Sequence, residues 1–397
     1  MAVETTSGER DGRAILPVSK PLEELSQRKL PHDDEIEITV LGINESVGES
    51  IVVHIGSGEW VIIDCCKTKE GINLPLYYLS EIGANLSKVL RVACTHLHSD
   101  HIVGLSEVLD KCKNSWFTYS MVGDHNTLKY VIAQYKKDAN LPNEGTFGEF
   151  MKCIDVVKKQ NRKAAQIGLD QPIYADSNRM ILGISPSLKM NEVYQWKLLR
   201  YNLNDPIPSQ MLKTNFCSVA SILLIGKVHA ILGADLESNR RYNEDIDRCK
   251  KTCARKSKRG WCNVFQSSQY FPCYQYDYFK ISHHSSSTGY CPLLWEQFMS
   301  DQSIGTSTVF VQGKNALPSQ EMINIYAEKC SELYFTSKSP ASRRDKKGRS
   351  ILDDKKEIAI IDMCSVQEKI GIISSRRKID GSNSWVTDIY ESAIRVK

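Results

Sequence analysis

The sequence predicts an α/β fold, and three observations carry that prediction. Apolar runs of strand length, many rich in Val and Ile, alternate along the chain with patterned stretches of helix length. Of the 397 residues 41% are hydrophobic, enough to bury a substantial core in one elaborated domain or two ordinary ones. The stretch "CTHLHSDHIVGL", residues 94–105, follows the strand-like run "VLRVA", so a histidine-rich loop sits at a strand-to-helix junction.

Residues 1–34 collect Ser, Gly, Arg, Pro and Glu without periodicity and read as a flexible leader, with order beginning at Glu35. "EIEITVLGI" alternates as a strand, and "SIVVHI" and "WVIIDC" pair across "GSGE". "LPLYYLSEIG" reads as a helix stopped at Gly83, before the buried-type strand "VLRVACT". Residues 111–201, with the helical patches "TLKYVIAQYKK" and "EFMKCIDVVKKQNRKAAQ", read as an insertion flanking the site. The strands "SVASILLIG" and "VHAILGADL" precede a basic, cysteine-bearing insertion at 240–273. Strand "YFKISHH", helix "PLLWEQFM", strand "STVFVQG", helix "SQEMINIYAEKC" and strand "LYFTS" complete a domain spanning 35–340. Residues 341–397 then carry the basic linker "RRDKKGR" and a β-rich C-terminal extension around "EIAIIDM", "KIGIISSRR" and "SWVTDIY".

Composition removes several classes. Lys plus Arg exceed Asp plus Glu by 51 to 47, and a net charge of +4 does not by itself imply nucleic acid. No apolar run reaches the roughly 18 residues of a spanning helix, so no membrane is expected. The start "MAVETTSGERDGR" lacks the apolar stretch of a signal peptide, which points to a cytoplasmic protein. Thirteen cysteines, an odd number, then read as reduced thiols or metal ligands rather than disulfides. Cys249, Cys253, Cys262 and Cys273 are loosely spaced for a structural zinc, and free thiols are the preferred reading.

The chemistry concentrates in "HLHSDH". On a tight loop His96 and His98 aim at one point, and Asp100 and His101 at a second a few ångströms away. Imidazole with carboxylate suits Zn, Mn or Fe. Two ions roughly 3.5 to 4 Å apart hold a bridging hydroxide and stabilise both the attacking and the leaving oxygen, a hydrolase design. A lone histidine reads as an ordinary packing or surface residue; HxHxDH directly after a strand does not.

With this motif the chain resembles the metallo-β-lactamase superfamily over roughly residues 35–340. The resemblance implies a four-layer αββα sandwich with an inserted helical segment, and two divalent ions, Zn or Mn, as cofactors. "VIIDC" places Asp64 where the family has an aspartate that orients a ligand histidine, and "LGADL" places Asp235 at the bridging carboxylate. "KISHHSSS" places His283 and His284 at the last ligand histidine. One of the two completes the second metal site, and the other steers a leaving group or transition-state oxygen. Asp100, Asp235, His283 and His284 are therefore the catalytic candidates.

A narrower resemblance is to the ComEC-like branch, a hydrolase portion of a bacterial DNA-uptake protein and its soluble relatives. Its marks are "GES" at 48–50, the Asn and Ser of "NFCSVASILL", "GAD" and the paired "HH". In that branch Asn215 stands where many superfamily nucleases carry another metal-binding histidine. This chain reads "HHSS" where the branch reads "HHGS", so Ser285 sits where glycine would relax the turn. The resemblance implies a phosphodiester or nucleic-acid substrate. Stand-alone relatives look like effectors of bacterial anti-phage defence, which implies partner proteins of a defence operon.

Two basic features fit such a substrate. Lys280 is a candidate anion contact, its plain alternative being a solvated strand-end lysine. "RCKKTCARKSKRG" holds seven basic residues and no acidic one, so Lys250, Lys251, Arg255 and Lys256 are candidate phosphate contacts. The expected activity is a metal-dependent phosphodiesterase or nuclease. The alternatives are a small-molecule ester, lactone or thioester hydrolase of the same fold, and a non-catalytic metal-binding scaffold.

Overall fold

The structure, a computed structural model, describes residues 19–44, 46–120, 145–192, 214–238, 246–253, 260–313, 315–339 and 369–397. Strands β1 (Glu35–Ile43), β2 (Glu49–His54), β3 (Trp60–Ile63), β4 (Val89–Cys94), β5 (Trp116–Ser120) and β6 (Ala164–Ile167) belong to a first sheet. A second sheet takes β7 (Gln171–Ala175), β8 (Arg179–Gly183), β9 (Ser221–Ile225), β10 (Val228–Leu232), β11 (Tyr276–Lys280) and β12 (Met299–Ser307). After the small hairpin of β13 (Phe310–Gln312) and β14 (Asn315–Leu317), β15 (Glu332–Phe335) returns to the second sheet. The chain ends with β16 (Ile370–Lys378) and β17 (Val386–Glu391) in the first sheet and β18 (Ile394–Arg395) in the second. The orders are β17-β16-β1-β2-β3-β4-β5-β6 and β18-β15-β12-β11-β10-β9-β8-β7. Each sheet is mixed: β3 to β6 run parallel in the first, and β10, β11, β12 and β15 in the second.

Period-two alternation explains the layers. In β1, Ile36, Ile38 and Val40 face the second sheet, where they meet Leu223, Ile225, Ala230 and Tyr278. The intervening Leu41 and Ile43 face outward onto the helix Leu74–Glu81 through Leu74 and Tyr78. On the far side Ile222, Ile231 and Phe279 meet the helices Gly260–Ser267, Pro292–Gln297 and Gln320–Lys329. The result is the α/β sandwich of the metallo-β-lactamase fold, two mixed sheets face to face with helices outside. Asn73 caps the first helix by accepting from Leu76 N, and Gly83 follows it at φ +71°.

Several boundaries differ from expectation. The described parts of residues 111–201 are not helical alone: β5 and β6 extend the first sheet and β7 and β8 the second. The helix there spans Thr146–Lys159, and "AAQI" is the edge strand β6 rather than helix; "TLKYVIAQYKK" lies outside the described residues. Order begins before Glu35, because Leu25 is fully buried and Lys20 bridges to Tyr390. The C-terminal strands are not an appendage either, since β16 pairs with β1 along its whole length. "RRDKKGR" and "EIAIIDM" fall outside the described residues. Within the cysteine-bearing segment the helices Ile246–Cys253 and Gly260–Ser267 form. Cys249 is a buried thiol and Cys273 an exposed one, but Cys262 is disulfide-bonded, against the reduced-thiol expectation. No cluster of metal-holding side chains among the described residues includes them. Among the described residues, no helix is long and apolar enough to cross a membrane.

Candidate metal centre

The site lies at one end of the sandwich, where both sheets deliver strand C-termini. From the first sheet, β3 ends in Asp64, and β4 leads through His96 and His98 into the short helix Ser99–Ile102 with Asp100 and His101. From the second, β10 leads to Asp235 and β11 to His283 and His284. The backbone is strained there. Asp64, Ala234, His283, His284 and Ser285 all have φ between +42° and +59°, a region that costs about 1–3 kcal/mol per non-glycine residue and clusters at functional sites. Ser285, at φ +56°, thus holds the left-handed conformation that glycine would adopt without cost.

Two groups of ligand atoms form. Asp100, His101, Asp235 and His284 converge in one, all buried, and His96, His98 and Asp235 in the other. Asp235 belongs to both: Oδ2 is 3.4 Å from His96 Nε2, while Oδ1 is 3.4 Å from His101 Nε2 and 3.8 Å from His284 Nε2. Asp100 Oδ2 is 3.1 Å from His284 Nε2 and 3.5 Å from His101 Nε2. Tetrahedral ligands at zinc distances stand about 3.4 Å apart, so these spacings fit a divalent ion.

Hydrogen bonds fix the imidazole tautomers. Asp64 accepts from Thr95 N at 2.7 Å and Thr95 Oγ1 at 2.6 Å, and lies 2.8 Å from His101 Nδ1. A carboxylate only accepts, so the His101 proton sits on Nδ1. Thr95 Oγ1 spends its proton on Asp64 and so accepts from His96 Nδ1 at 3.0 Å. Thr308 Oγ1 donates to Glu49 at 2.6 Å and so accepts from His284 Nδ1 at 2.8 Å. With these bonds made on Nδ1, each Nε2 faces the carboxylates, that of His284 within hydrogen-bond distance of Asp100 Oδ2 at 3.1 Å. His96 Nε2, His101 Nε2 and Asp235 Oδ1 are buried without a hydrogen-bond partner, the condition that a metal ion relieves. Asp64 also lies near His96 and His101, but its oxygens are already taken by Thr95 and His101 Nδ1, so it orients rather than coordinates.

Without a metal, the buried carboxylates and imidazoles hold one another charged, so a metal ion would compete with protons for these atoms. Burial opposes ionisation of Asp100 and Asp235, yet His101 and His284 hold both well below the usual carboxylate range. Burial likewise opposes charge on His101, and Asp235, Asp100 and Asp64 together raise it well above its ordinary value. Burial and the adjacent His96 push His98 down to about 4, leaving it neutral and able to ligate at pH 7. Two clusters of His and Asp side chains able to coordinate metal ions, sharing one carboxylate, are therefore present.

The structure separates the two histidines that the sequence left open. His284 is buried with Nε2 in the Asp100–His101–Asp235 group. His283 turns to the cleft, its Nδ1 within 3.0 Å of Thr288 Oγ1 and 3.3 Å of Glu237 Oε1, its Nε2 3.3 Å from Asn215 Nδ2. Asn215 Oδ1 is buried without a partner. The cleft, about 170 Å³, is lined by His98, Asp100, Asp235, His283 and His284 and rimmed by Val47, Phe310 and Leu317. Lys280 is a correction: it is fully buried, points between the sheets and pairs with Glu49, so it is no anion contact. Lys250 and Lys251 are exposed on the helix Ile246–Cys253, and Arg255 and Lys256 lie outside the described residues. Sequence reasoning missed Glu49 and Thr308, whose one signal was the "GES" of residues 48–50.

Residues 44–170 match the family described as the Metallo-beta-lactamase superfamily. No curated protein sequence matches the chain significantly. Similar solved structures include the metallo-beta-lactamase fold protein YhfI from Bacillus subtilis, at 14% identity and TM-score 0.29, covering 62% of this chain and 70% of that one. A metallo-beta-lactamase from Cronobacter sakazakii is 12% identical at TM-score 0.32, covering 60% and 76%. A metallo-beta-lactamase-like protein from Thermotoga maritima is 14% identical at TM-score 0.29, covering 56% and 93%.

Proposed function

We propose that this chain is a dinuclear metal-dependent hydrolase of phosphodiesters, nucleic acid foremost among them. The observation that carries the hydrolase reading is Asp235, one oxygen toward His96 and the other toward His101 and His284, with unpartnered imidazole nitrogens around it. In this reading His96, His98 and Asp235 hold one ion, and Asp100, His101, His284 and Asp235 the other. Bound there, two divalent ions supply a nucleophile at neutral pH and Lewis acidity at the scissile group. The residues do the rest. Asp64 and Thr95 fix the tautomers of His101 and His96, and His283, steadied by Asn215, Glu237 and Thr288, meets the leaving group or a transition-state oxygen at the cleft.

The phosphodiester preference rests on the basic run 248–260 and on the ComEC-like marks. Gly260, where the basic run 248–260 ends, packs so tightly on the Glu237 carbonyl that a Cβ there would stand 2.0 Å from it. Its φ of +57° also favours glycine. Gly260 thus lies against a residue two positions beyond Asp235, and Lys250 and Lys251 are exposed on the helix Ile246–Cys253. The apolar rim of Val47, Phe310 and Leu317 favours a second reading, a small ester, lactone or thioester substrate.

Elemental analysis joined to a hydrolysis screen on single-stranded DNA, duplex DNA, RNA, small phosphodiesters, esters, lactones and thioesters tests these readings. About two ions per chain with phosphodiester turnover is the expected result. Turnover of esters alone supports the second reading, and a two-metal protein inert to the whole panel is a scaffold. A stoichiometry near zero after reconstitution with Zn or Mn sinks the dinuclear centre. The ComEC-like resemblance extends the reading to an effector of anti-phage defence, checked by plaque counts on cells carrying the wild type or Asp235→Ala.

A further inference from the structure

We infer that Glu49 and Thr308, braced by Lys280, are positioning residues for His284 and set metal occupancy at the Asp100–His101–Asp235–His284 cluster while leaving the other cluster alone. The inference rests on the dinuclear reading above.

The centre draws its ligands from two sheets. His96, His98, Asp100 and His101 follow β4 of the first, and Asp235 and His284 follow β10 and β11 of the second. Its geometry therefore depends on how the sheets are held together directly beneath it. Glu49, at the start of β2, lies on the inward face with Ile51 and Val53; Lys280, at the end of β11, lies on the inward face with Tyr278. The two meet between the sheets as a fully buried ion pair. Such a pair is costly to desolvate and weak evidence for stability by itself.

What distinguishes this pair is where its second oxygen goes. Glu49 Oε2 accepts from Thr308 Oγ1 at 2.6 Å, and Thr308 in turn accepts from His284 Nδ1 at 2.8 Å. Thr308 and Glu49 are both buried, so no water competes for these groups. Lys280 occupies one oxygen of Glu49, which leaves the other facing the threonine; the threonine proton goes to Glu49, which forces the imidazole proton onto Nδ1. The relay thus holds a proton on His284 Nδ1 and fixes the direction of Nε2, toward Asp100 and Asp235. His101 has its own anchor in Asp64 and His96 in Thr95. The Lys280–Glu49–Thr308 relay touches His284 alone among the imidazoles that face Asp235.

Thr308→Val replaces the hydroxyl by a methyl and leaves the His284 Nδ1–H without an acceptor. Removing such an outer partner typically weakens metal affinity about 10–100-fold. Metal-free wild type, Thr308→Val, Thr308→Ser and His98→Ala, each confirmed folded by circular dichroism, are equilibrated with buffered free Zn and analysed for bound metal. Wild type should bind two ions. Thr308→Val should keep one at its wild-type affinity and lose the other by about 10–100-fold, with Thr308→Ser restoring both. His98→Ala should weaken the opposite ion. If Thr308→Val does not fold, Thr308→Ala is read in the same way. Two ions at unchanged affinities in the folded variant, or equal weakening of both, overturns the positioning role. Fewer than two ions in wild type overturns the dinuclear reading instead.

Discussion

Two buried charge clusters, one on the first sheet and one between the ends of both sheets, differ in what their polar atoms are doing. In the cluster around Glu37 both carboxylate oxygens are bonded: Oε2 to Arg28 at 2.8 Å and to Arg376 at 2.6 Å, Oε1 to Tyr78 at 2.5 Å. In the cluster around Asp235, Oδ1 and the Nε2 atoms of His96 and His101 are buried without hydrogen-bond partners, and all are aimed inward. Both oxygens of the Glu37 carboxylate are paired within the chain, whereas the atoms around Asp235 are unpaired and spaced to coordinate a metal ion. Buried charge alone therefore does not mark a site; unpaired ligand atoms converging on common points do.

Removing the shared carboxylate should break this contrast most severely. Asp235→Ala leaves the apolar core untouched and takes the one group common to both metal clusters. Hydrolysis should fall by about a thousandfold or more, about 4 kcal/mol of barrier. Circular dichroism and melting of the metal-free protein should stay close to wild type; activity within tenfold of wild type in the metal-loaded variant would remove Asp235 from the chemistry.

The converse substitution belongs to the complete cluster. Glu37→Gln strands Arg28 and Arg376 beside a neutral amide, and breaking a buried pair costs about 3 kcal/mol or more. Denaturant unfolding should register that loss while bound metal per folded chain is unchanged. Its pH dependence has a definite sign. Burial alone would raise the Glu37 pKa, but Arg28 and Arg376 hold it below its ordinary value. The stability it contributes is therefore present above the unfolded pKa of about 4.5 and lost as pH falls through the folded value. The acid limb of the wild-type stability curve should flatten in Glu37→Gln.

Asp64 lies between the two cases, a satisfied carboxylate that serves the unsatisfied group. Asp64→Asn keeps an acceptor for one partner but cannot serve Thr95 and His101 with a full carboxylate. Metal affinity should drop about 10–100-fold. Competition with a chromogenic chelator measures this, and an affinity within twofold of wild type would reduce Asp64 to a turn former.

The ease of reading these residues from sequence follows their distance along the chain. His96, His98, Asp100 and His101 lie within six positions, so a single loop brings them together and the motif was legible. Asp64 and Asp235 became legible through resemblance, each at a strand end. Glu49 and Thr308 are 259 positions apart and meet through sheet-on-sheet packing, which no local pattern encodes. Lys280 was placed near the site correctly in chain terms and wrongly in role, because strand alternation turns it inward to Glu49. Within residues 111–201 the strands β6 and β7 were not legible because they lie at sheet edges. "AAQI" is mostly exposed and "QPIYA" carries a proline, so neither shows the apolar run of a central strand.

The smallest expected effect concerns charges that belong to neither cluster. Lys250 and Lys251 are exposed on the helix Ile246–Cys253 and contribute little to the fold. If the proposed substrate is nucleic acid, they contact phosphates without reading bases, a term that weakens as salt rises. Reversing both to Glu should raise the half-saturating concentration of duplex DNA. The slope of log affinity against log salt should fall by about 2, near 0.9 for each lost phosphate contact. Turnover of a small phosphodiester and the bound metal should not move, because both depend on the unpaired cluster at Asp235 and not on surface charge. Fluorescence anisotropy over a salt series measures the slope. Binding equal to wild type at every salt concentration would make these lysines a solvated helix face, and the nucleic-acid reading would then rest on the ComEC-like resemblance and the rest of the basic run.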